Sequence, residues 1–372
     1  MCGTIFLFPY FGLQSFSIWV FIPSVFMYFF AKERYAINSN YLLLIFFLFT
    51  IYGTFISFLG INIELSLLDQ RKILLSLIFA YSIYYYCRLS TQKIHNVFII
   101  FSLINYLLFY FVMTNDISFN VFDSDTRLLI SDSKLLITTN TYGHYLYMSS
   151  ASAIVLYNYF ERNYLSQIHL MLNFLISYYL CFITASRGSF MIVSVLFGIF
   201  LFYLFFEKLR SSSVLKKVYF SIFSFIIVVG SILIFINYYQ KTLLFDRLSL
   251  SLITDNRADL LDEFLSLDYD KYIFGIGSGN SYLISRYSQF THNGFLEPLV
   301  SYGVIGFTLY LLFFKELISN FNKIYDNFSK AIFISIMLSY TAFHFIYAPY
   351  LTHYFLGFIL TVYLWKEDMR VS

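Results

Sequence analysis

The sequence predicts an all-α integral membrane protein of about eleven transmembrane helices with one large extracytoplasmic loop, and three observations predict it. First, 59% of the 372 residues are hydrophobic and only 12% are charged, about half the charged fraction of an ordinary soluble domain, which leaves too little polar surface to face water. Second, the apolar residues gather in long runs, most of which reach or approach the ~20 residues that carry a helix across a bilayer. Third, short charged clusters separate the runs, and a helix is the element that satisfies its own backbone in lipid. The same composition excludes a disordered chain, and a net charge of +3 is too small to point to a nucleic-acid partner.

Taken in chain order, the apolar runs cover about 4–31, 41–59, 73–87, 97–113, 142–160, 168–184, 190–206, 218–237, 299–314, 331–348 and 350–365. The first contains Pro9 and Pro23 and is either one tilted helix or two short ones, which would raise the count to twelve. It has no basic residue before Lys32 and far exceeds a signal-peptide core, so it reads as a span rather than a cleaved leader. Placing Lys208, Arg210, Lys216 and Lys217 in the cytoplasm puts 14 basic residues in cytoplasmic segments against 5 in the outer segments other than the long loop at 238–298. This is the asymmetry of the positive-inside rule. Two sizeable segments then lie outside, Thr114–Thr141 and Tyr238–Pro298. No internal repeat or low-complexity linker divides the chain, which reads as a single polytopic membrane domain, 1–372, containing the loop at 238–298. Cys2, Cys87 and Cys181 lie in or beside apolar runs without a disulfide or zinc spacing, and read as packing residues.

Ionisable residues at span ends carry the chemical information, because a charge near hydrocarbon costs about 2.5–3.5 kcal/mol on insertion scales. Arg187 stands in Thr184-Ala-Ser-Arg-Gly-Ser-Phe190, at the outer boundary between two spans and among small side chains that leave room for a ligand. It also reads as a snorkelling anchor of a tight hairpin. In the long loop, Leu260, Leu261, Phe264 and Leu265 recur at helical spacing after Arg257, with Asp259, Asp262 and Glu263 on the other face, the pattern of an interfacial helix. Arg257 in its first turn could meet an anion such as a phosphate, or be an ordinary solvated arginine; Arg247 lies upstream. The turn Phe274-Gly-Ile-Gly-Ser-Gly-Asn280 lacks the ending of a P-loop and the spacing of a dinucleotide fingerprint. His292, followed by Asn293 just ahead of a span, is a candidate base near neutral pH, though a lone histidine is more often only hydrogen-bonded. The strings Asp123-Ser-Asp125 and Asp268-Tyr-Asp270 suit a metal-bound nucleotide sugar in principle, but fall on the outer face and read as solvated loop carboxylates. His95, His169, His344 and His353 show no metal-ligand spacing and read as structural, with His344 a possible cavity-lining residue.

The order of these parts resembles the O-antigen polymerase and O-antigen ligase superfamily of polytopic bacterial membrane proteins. The resemblance is carried by Ala185-Ser-Arg-Gly-Ser189, Asn256-Arg257, Gly275-Ile-Gly277 and His292-Asn-Gly-Phe-Leu-Glu297 leading into Tyr302-Gly-Val-Ile-Gly306, over about 140–310. It implies a glycosyltransferase of the lipid-linked-donor kind, with GT-C-like architecture, in the bacterial inner membrane, its active site on the periplasmic side. It implies undecaprenyl-pyrophosphate-linked oligosaccharide as donor and acceptor, a chain-length regulator as a further partner, and neither metal nor cofactor. Arg187 and Arg257 match positions that neutralise the pyrophosphate leaving group, with Arg247 and Asn293 as weaker substrate-binding candidates. His292 matches the proposed base that takes the acceptor proton.

Within this resemblance a polymerase passes the growing chain to the next lipid-linked repeat unit, whereas a ligase passes it to lipid A core. Polymerase is the expectation, since sequence-diverse polymerases outnumber ligases and the short chain shows no added acceptor-binding domain. A lipid-linked oligosaccharide flippase would instead place charges within several spans and show repeated halves, and neither pattern is visible. A membrane acyltransferase would need His169 or His344 beside a polar partner, and their neighbours are mostly apolar or aromatic.

Overall fold

A computed structural model describes residues 41–87, 90–114, 139–183, 186–211, 266, 269–284, 293–344 and 355–371. Among them every regular element is helical: α1 (Tyr41–Leu59), α2 (Ile63–Cys87), α3 (Thr91–Ser102), α4 (Ile104–Thr114), α5 (Thr139–Tyr159), α6 (Tyr164–Ile183), α7 (Arg187–Ser211), α8 (Tyr269–Phe274), α9 (Ser281–Ile284), α10 (Leu296–Ile318), α11 (Asn327–His344) and α12 (Phe355–Val371). The runs at 4–31 and 218–237 lie outside the described residues. The described parts of the other predicted runs fall on helices, with the run at 97–113 divided between α3 and α4, so lipid-length hydrophobicity located the elements. Five stretches are long and apolar enough to cross a membrane: Tyr41–Leu59, Thr91–Thr114, Tyr164–Ile183, Gly188–Glu207 and Leu296–Lys323.

One difference from the sequence is informative. The run at 73–87 is the second part of a helix that begins at Ile63, so Glu64, Asp69, Arg71 and Lys72 are helical rather than loop residues. Their polarity has a physical use on the inner face. Asp69 and Gln70 are buried, Asp69 pairs with Lys72 one turn on, and the Gln70 amide donates to the Thr50 carbonyl of α1 at 2.9 Å.

The helices pack around α5, which touches α3, α4, α6, α7, α11 and α12. Every residue from Gly143 to Leu156 on α5 is buried, and Ser149, Ser150, Ala151, Ser152 and Ala153 let neighbouring backbones approach closely. A polar clamp fastens this hub. Asn105 of α4 donates to Asn173 and Ser177 of α6 at 2.7 and 2.6 Å. The Asn173 amide in turn donates to the Ser102 carbonyl and to Ser149. Around the rest of the bundle, α1 packs on α2 and α10, α2 on α12, and α7 on α11.

One end of the bundle collects the described residues of the segments at 90–96, 161–167, 207–211 and 315–330 and of the tail, which the charge distribution assigns to the cytoplasm. Arg162, after α5, pairs with Glu207 of α7 at 3.1 Å and lies over the Phe328 ring of α11 at 3.7 Å. Lys366 of α12 donates to the carbonyls of Leu317 and Ser319, and Thr91 donates to Asp368 at 2.8 Å. Asp326 accepts from the N–H groups of Phe328 and Ser329 at 3.2 and 2.7 Å, capping α11. Partial burial raises the Asp326 pKa, but those donors and the Arg162 charge outweigh it and hold the carboxyl below its ordinary range.

Candidate functional site

At the opposite end, α10 begins with a tightly specified entry. Asn293 Oδ1 accepts from the N–H groups of Phe295 and Leu296 at 2.9 and 3.0 Å, satisfying two of the donors that a helix start leaves open. The next residue is anchored to another helix, because Gly294 N–H donates to the carbonyl of His344 at the end of α11. His344 is itself fixed: Nδ1 faces the Tyr340 carbonyl at 2.8 Å and Nε2 lies 2.6 Å from the Tyr310 hydroxyl. An Nδ1 facing a carbonyl carries the proton, so Nε2 accepts from tyrosine. His344 is fully buried among aromatic rings, so the structure gives it a positional role rather than a cavity-lining one.

Arg187 is the first residue of α7, as its place between two apolar runs predicts. Ser186 before it and Ser189 after it share a 2.6 Å hydroxyl contact, and both are buried. Gly143 of α5 lies directly against Ser189, where a Cβ would collide with the hydroxyl. The next residue of α5, His144, packs edge-on to Phe343 at 4.6 Å, one position from His344. The start of α7 and the entry to α10 therefore flank the same turn of α5. Two helix N-termini at one end of a bundle make a region of positive partial charge suited to an anionic ligand.

The glycine-dense turn is an architectural joint on this end. Gly303 inside α10 adopts φ +62°, breaking the helix, and a Cβ there would strike the Ile273 carbonyl and Gly275 N. Through this notch Ile276 N–H and Gly277 N–H reach the carbonyls of Val300 and Ser301 at 3.1 and 3.0 Å, while Ile61 N–H reaches the Ile276 carbonyl. Asn280 donates to Ser66 of α2 at 2.8 Å, and Ser281 and Ser301 both donate to the buried Glu297 carboxylate. The turn is thus pinned between the α1–α2 connection and α10, in keeping with its lack of a phosphate-loop ending.

His292, Arg247 and Arg257 lie outside the described residues, as do the amphipathic stretch after Arg257, His353 and the pair Asp123 and Asp125. Of the second acidic string, Asp270 is exposed at the start of α8. His169 bonds the Tyr106 hydroxyl at 3.0 Å and His95 stacks on Tyr159 at 3.6 Å, in keeping with structural roles. Among the described residues, no group of three His, Cys, Asp or Glu side chains is placed to hold a metal. Sequence reasoning passed over Glu297, His144 and Tyr310. Glu297 was visible only as the last letter of a motif, and the other two belong to apolar helices whose partners are distant in sequence.

No curated protein matches the chain. Residues 172–311 match the family model described as O-Antigen ligase, and this interval contains Arg187, Arg247, Arg257, His292, Asn293 and the whole Gly275–Asn280 joint. This stretch is therefore similar to the O-antigen ligase family, and five helices among the described residues are long and apolar enough to cross a membrane, as a multi-pass membrane protein of that kind requires.

Proposed function

We propose that the protein is an O-antigen or capsular polysaccharide polymerase. It transfers a glycan chain from undecaprenyl pyrophosphate to the next lipid-linked repeat unit, on the periplasmic face of the inner membrane. The family match over 172–311 is the observation that carries the reading, because it spans every residue assigned a role. In this reading the chain has eleven or twelve spans, GT-C-like architecture, and its large loop at 238–298 outside.

The chemistry asks for two things. The acceptor hydroxyl is a poor nucleophile, and His292 accepts its proton as the new glycosidic bond forms. The anomeric carbon–oxygen bond to pyrophosphate breaks at the same time, and the leaving oxygen takes the electron pair. Arg187 and Arg257 stabilise that charge as preorganised guanidinium donors in a low-dielectric site. Arg247 and Asn293 contribute to binding, and no metal takes part in the proposed step. The start of α7 and the entry to α10 lie at the same end of the bundle, which supports this arrangement, since those helix starts carry Arg187 and follow His292 in the chain. A chain-length regulator would act on this reaction as a partner.

The family description, O-Antigen ligase, favours a second reading in which the acceptor is lipid A core. The glycan ladder of a deletion strain separates the two. A polymerase predicts core carrying a single repeat unit, with the ladder restored by the wild-type gene. A ligase predicts bare core with long chains accumulating on the lipid carrier. An unchanged ladder would overturn both.

A further inference from the structure

Gly143 of α5 has no part in the scheme above, and its presence needs a physical reason. It lies within the helix Thr139–Tyr159, where alanine is the better helix former. Its φ is not positive, so the backbone does not require glycine, and the requirement is space. A Cβ on Gly143 would collide with Ser189 Oγ and come within 3.3 Å of Ser189 Cβ and 3.6 Å of Ser189 Cα. The hydroxyl cannot swing aside without giving up its 2.6 Å contact with Ser186 Oγ in a fully buried setting. Small residues that face each other in this way let two helices meet backbone to backbone in a membrane.

The contact bears on the first turn of α7. Ser186 caps that turn, its carbonyl accepting from Phe190 N–H at 3.0 Å and its hydroxyl from Ser189 N–H at 3.4 Å. The backbone of Arg187 and Gly188 runs between the two serines. On the other side of the contact stands the hub helix α5, buried from Gly143 to Leu156. Further along α7, Tyr178 of α6 donates to Ser194 at 2.9 Å, and Ile192, Val193 and Leu196 are buried. With α5 fixed and the body of α7 held, a side chain at residue 143 is relieved by tilting the first turn of α7, and the backbone of Arg187 moves with it. A misplacement of about 1 Å can cost about 10²-fold in rate.

We propose that Gly143 is a positioning residue: by having no side chain it seats the Ser186–Ser189 turn of α7 against α5, and so sets where the backbone of Arg187 lies at this end of the bundle. The proposal rests on the transferase reading, and two measurements on full-length protein in lipid separate its failure from the failure of that reading. The first is thermal unfolding, which needs no activity. Gly143→Ala is expected to lower Tm in the wild-type background, and to leave Tm unchanged or raise it once Ser189→Ala has removed the hydroxyl, where alanine acts only as the better helix former. A raised or unchanged Tm in the first background, or the same fall in both, overturns the seat. The second is chain elongation on lipid-linked repeat units extracted from the strain, with rates compared per folded protein well below every Tm so that stability alone does not move them. Gly143→Ala is expected to lower kcat about tenfold to a hundredfold with KM within about threefold, since Arg187 acts on charge that appears as the bond breaks. The double variant Gly143→Ala, Ser189→Ala should return to the rate of Ser189→Ala alone. Wild-type kcat in Gly143→Ala, a loss confined to KM, or a double variant as slow as Gly143→Ala overturns the proposal. If Gly143→Ala fails to accumulate, Ser189→Cys, which swells the same contact from α7, takes its place: lower Tm and lower kcat are expected, and wild-type kcat overturns the proposal. A protein that shows the Tm pattern yet elongates nothing as wild type overturns the functional reading and leaves the seat standing.

Discussion

Asn293 and Gly294 show how much of a site can be set by backbone hydrogen bonds. The Asn293 side chain caps α10 and Gly294 N–H fastens to α11. Replacing Asn293 by Ala should cost about 1 kcal/mol, and Asn293→Asp should keep the cap; thermal unfolding of purified protein reads the difference. In the proposed chemistry His292→Ala should lower the rate of chain transfer about 10²- to 10⁴-fold, the span of general-base catalysis. Asn293 was legible as a residue at the start of a helix because polar residues just ahead of an apolar run are conspicuous in so hydrophobic a chain. Glu297, Tyr310 and His344 acquire roles only through contacts between α9, α10 and α11, which no local pattern encodes.

At the scale of elements, the helices were legible and their polar fastenings were not. Hydrophobic runs found α1, α6, α7 and α10 to within a few residues of each end. They missed the first ten residues of α2, because Asp69 and Gln70 are polar for the sake of α1 and the glycine joint rather than for water. Likewise Asn105, Asn173, Ser149 and Ser177 read as interruptions in a sequence and as a clamp in the fold. Asn105→Leu should destabilise the bundle by about 0.6–2 kcal/mol, the range for interhelical hydrogen bonds in membranes, measured by unfolding in detergent. Gly303→Ala should be harsher, combining a positive φ of about 1–3 kcal/mol with a collision against α8. It should loosen the glycine joint before it melts the bundle. At the other end, Asp326 caps α11 with a folded pKa below its unfolded value. Its contribution is therefore present above the ordinary carboxylate pKa and disappears as pH falls through the lower, folded pKa. Asp326→Asn should flatten this acid limb of the stability profile.

For the whole molecule, the distribution of lysine and arginine predicts which segments share a side, and the described residues of those segments meet at one end of the bundle through Arg162–Glu207, Thr91–Asp368 and the Lys366 contacts. The candidate residues Arg187 and Asn293 belong to the other end. Reporter fusions after Lys217 and after Ser266 should therefore report opposite sides of the membrane, cytoplasmic and periplasmic. The fold divides accordingly: one end fastened by these contacts, a serine-rich hub in α5, and an opposite end, periplasmic in the proposed orientation, where two long helices begin beside a glycine joint. The central claim is that this outer end makes a glycosidic bond at the expense of a pyrophosphate ester. It is tested most directly by incubating purified protein in lipid with undecaprenyl-pyrophosphate-linked repeat units and counting both products. The account predicts one undecaprenyl pyrophosphate released for each linkage formed, with both falling together in His292→Ala. Movement of the lipid-linked unit across the membrane with no linkage formed and no carrier released would contradict it.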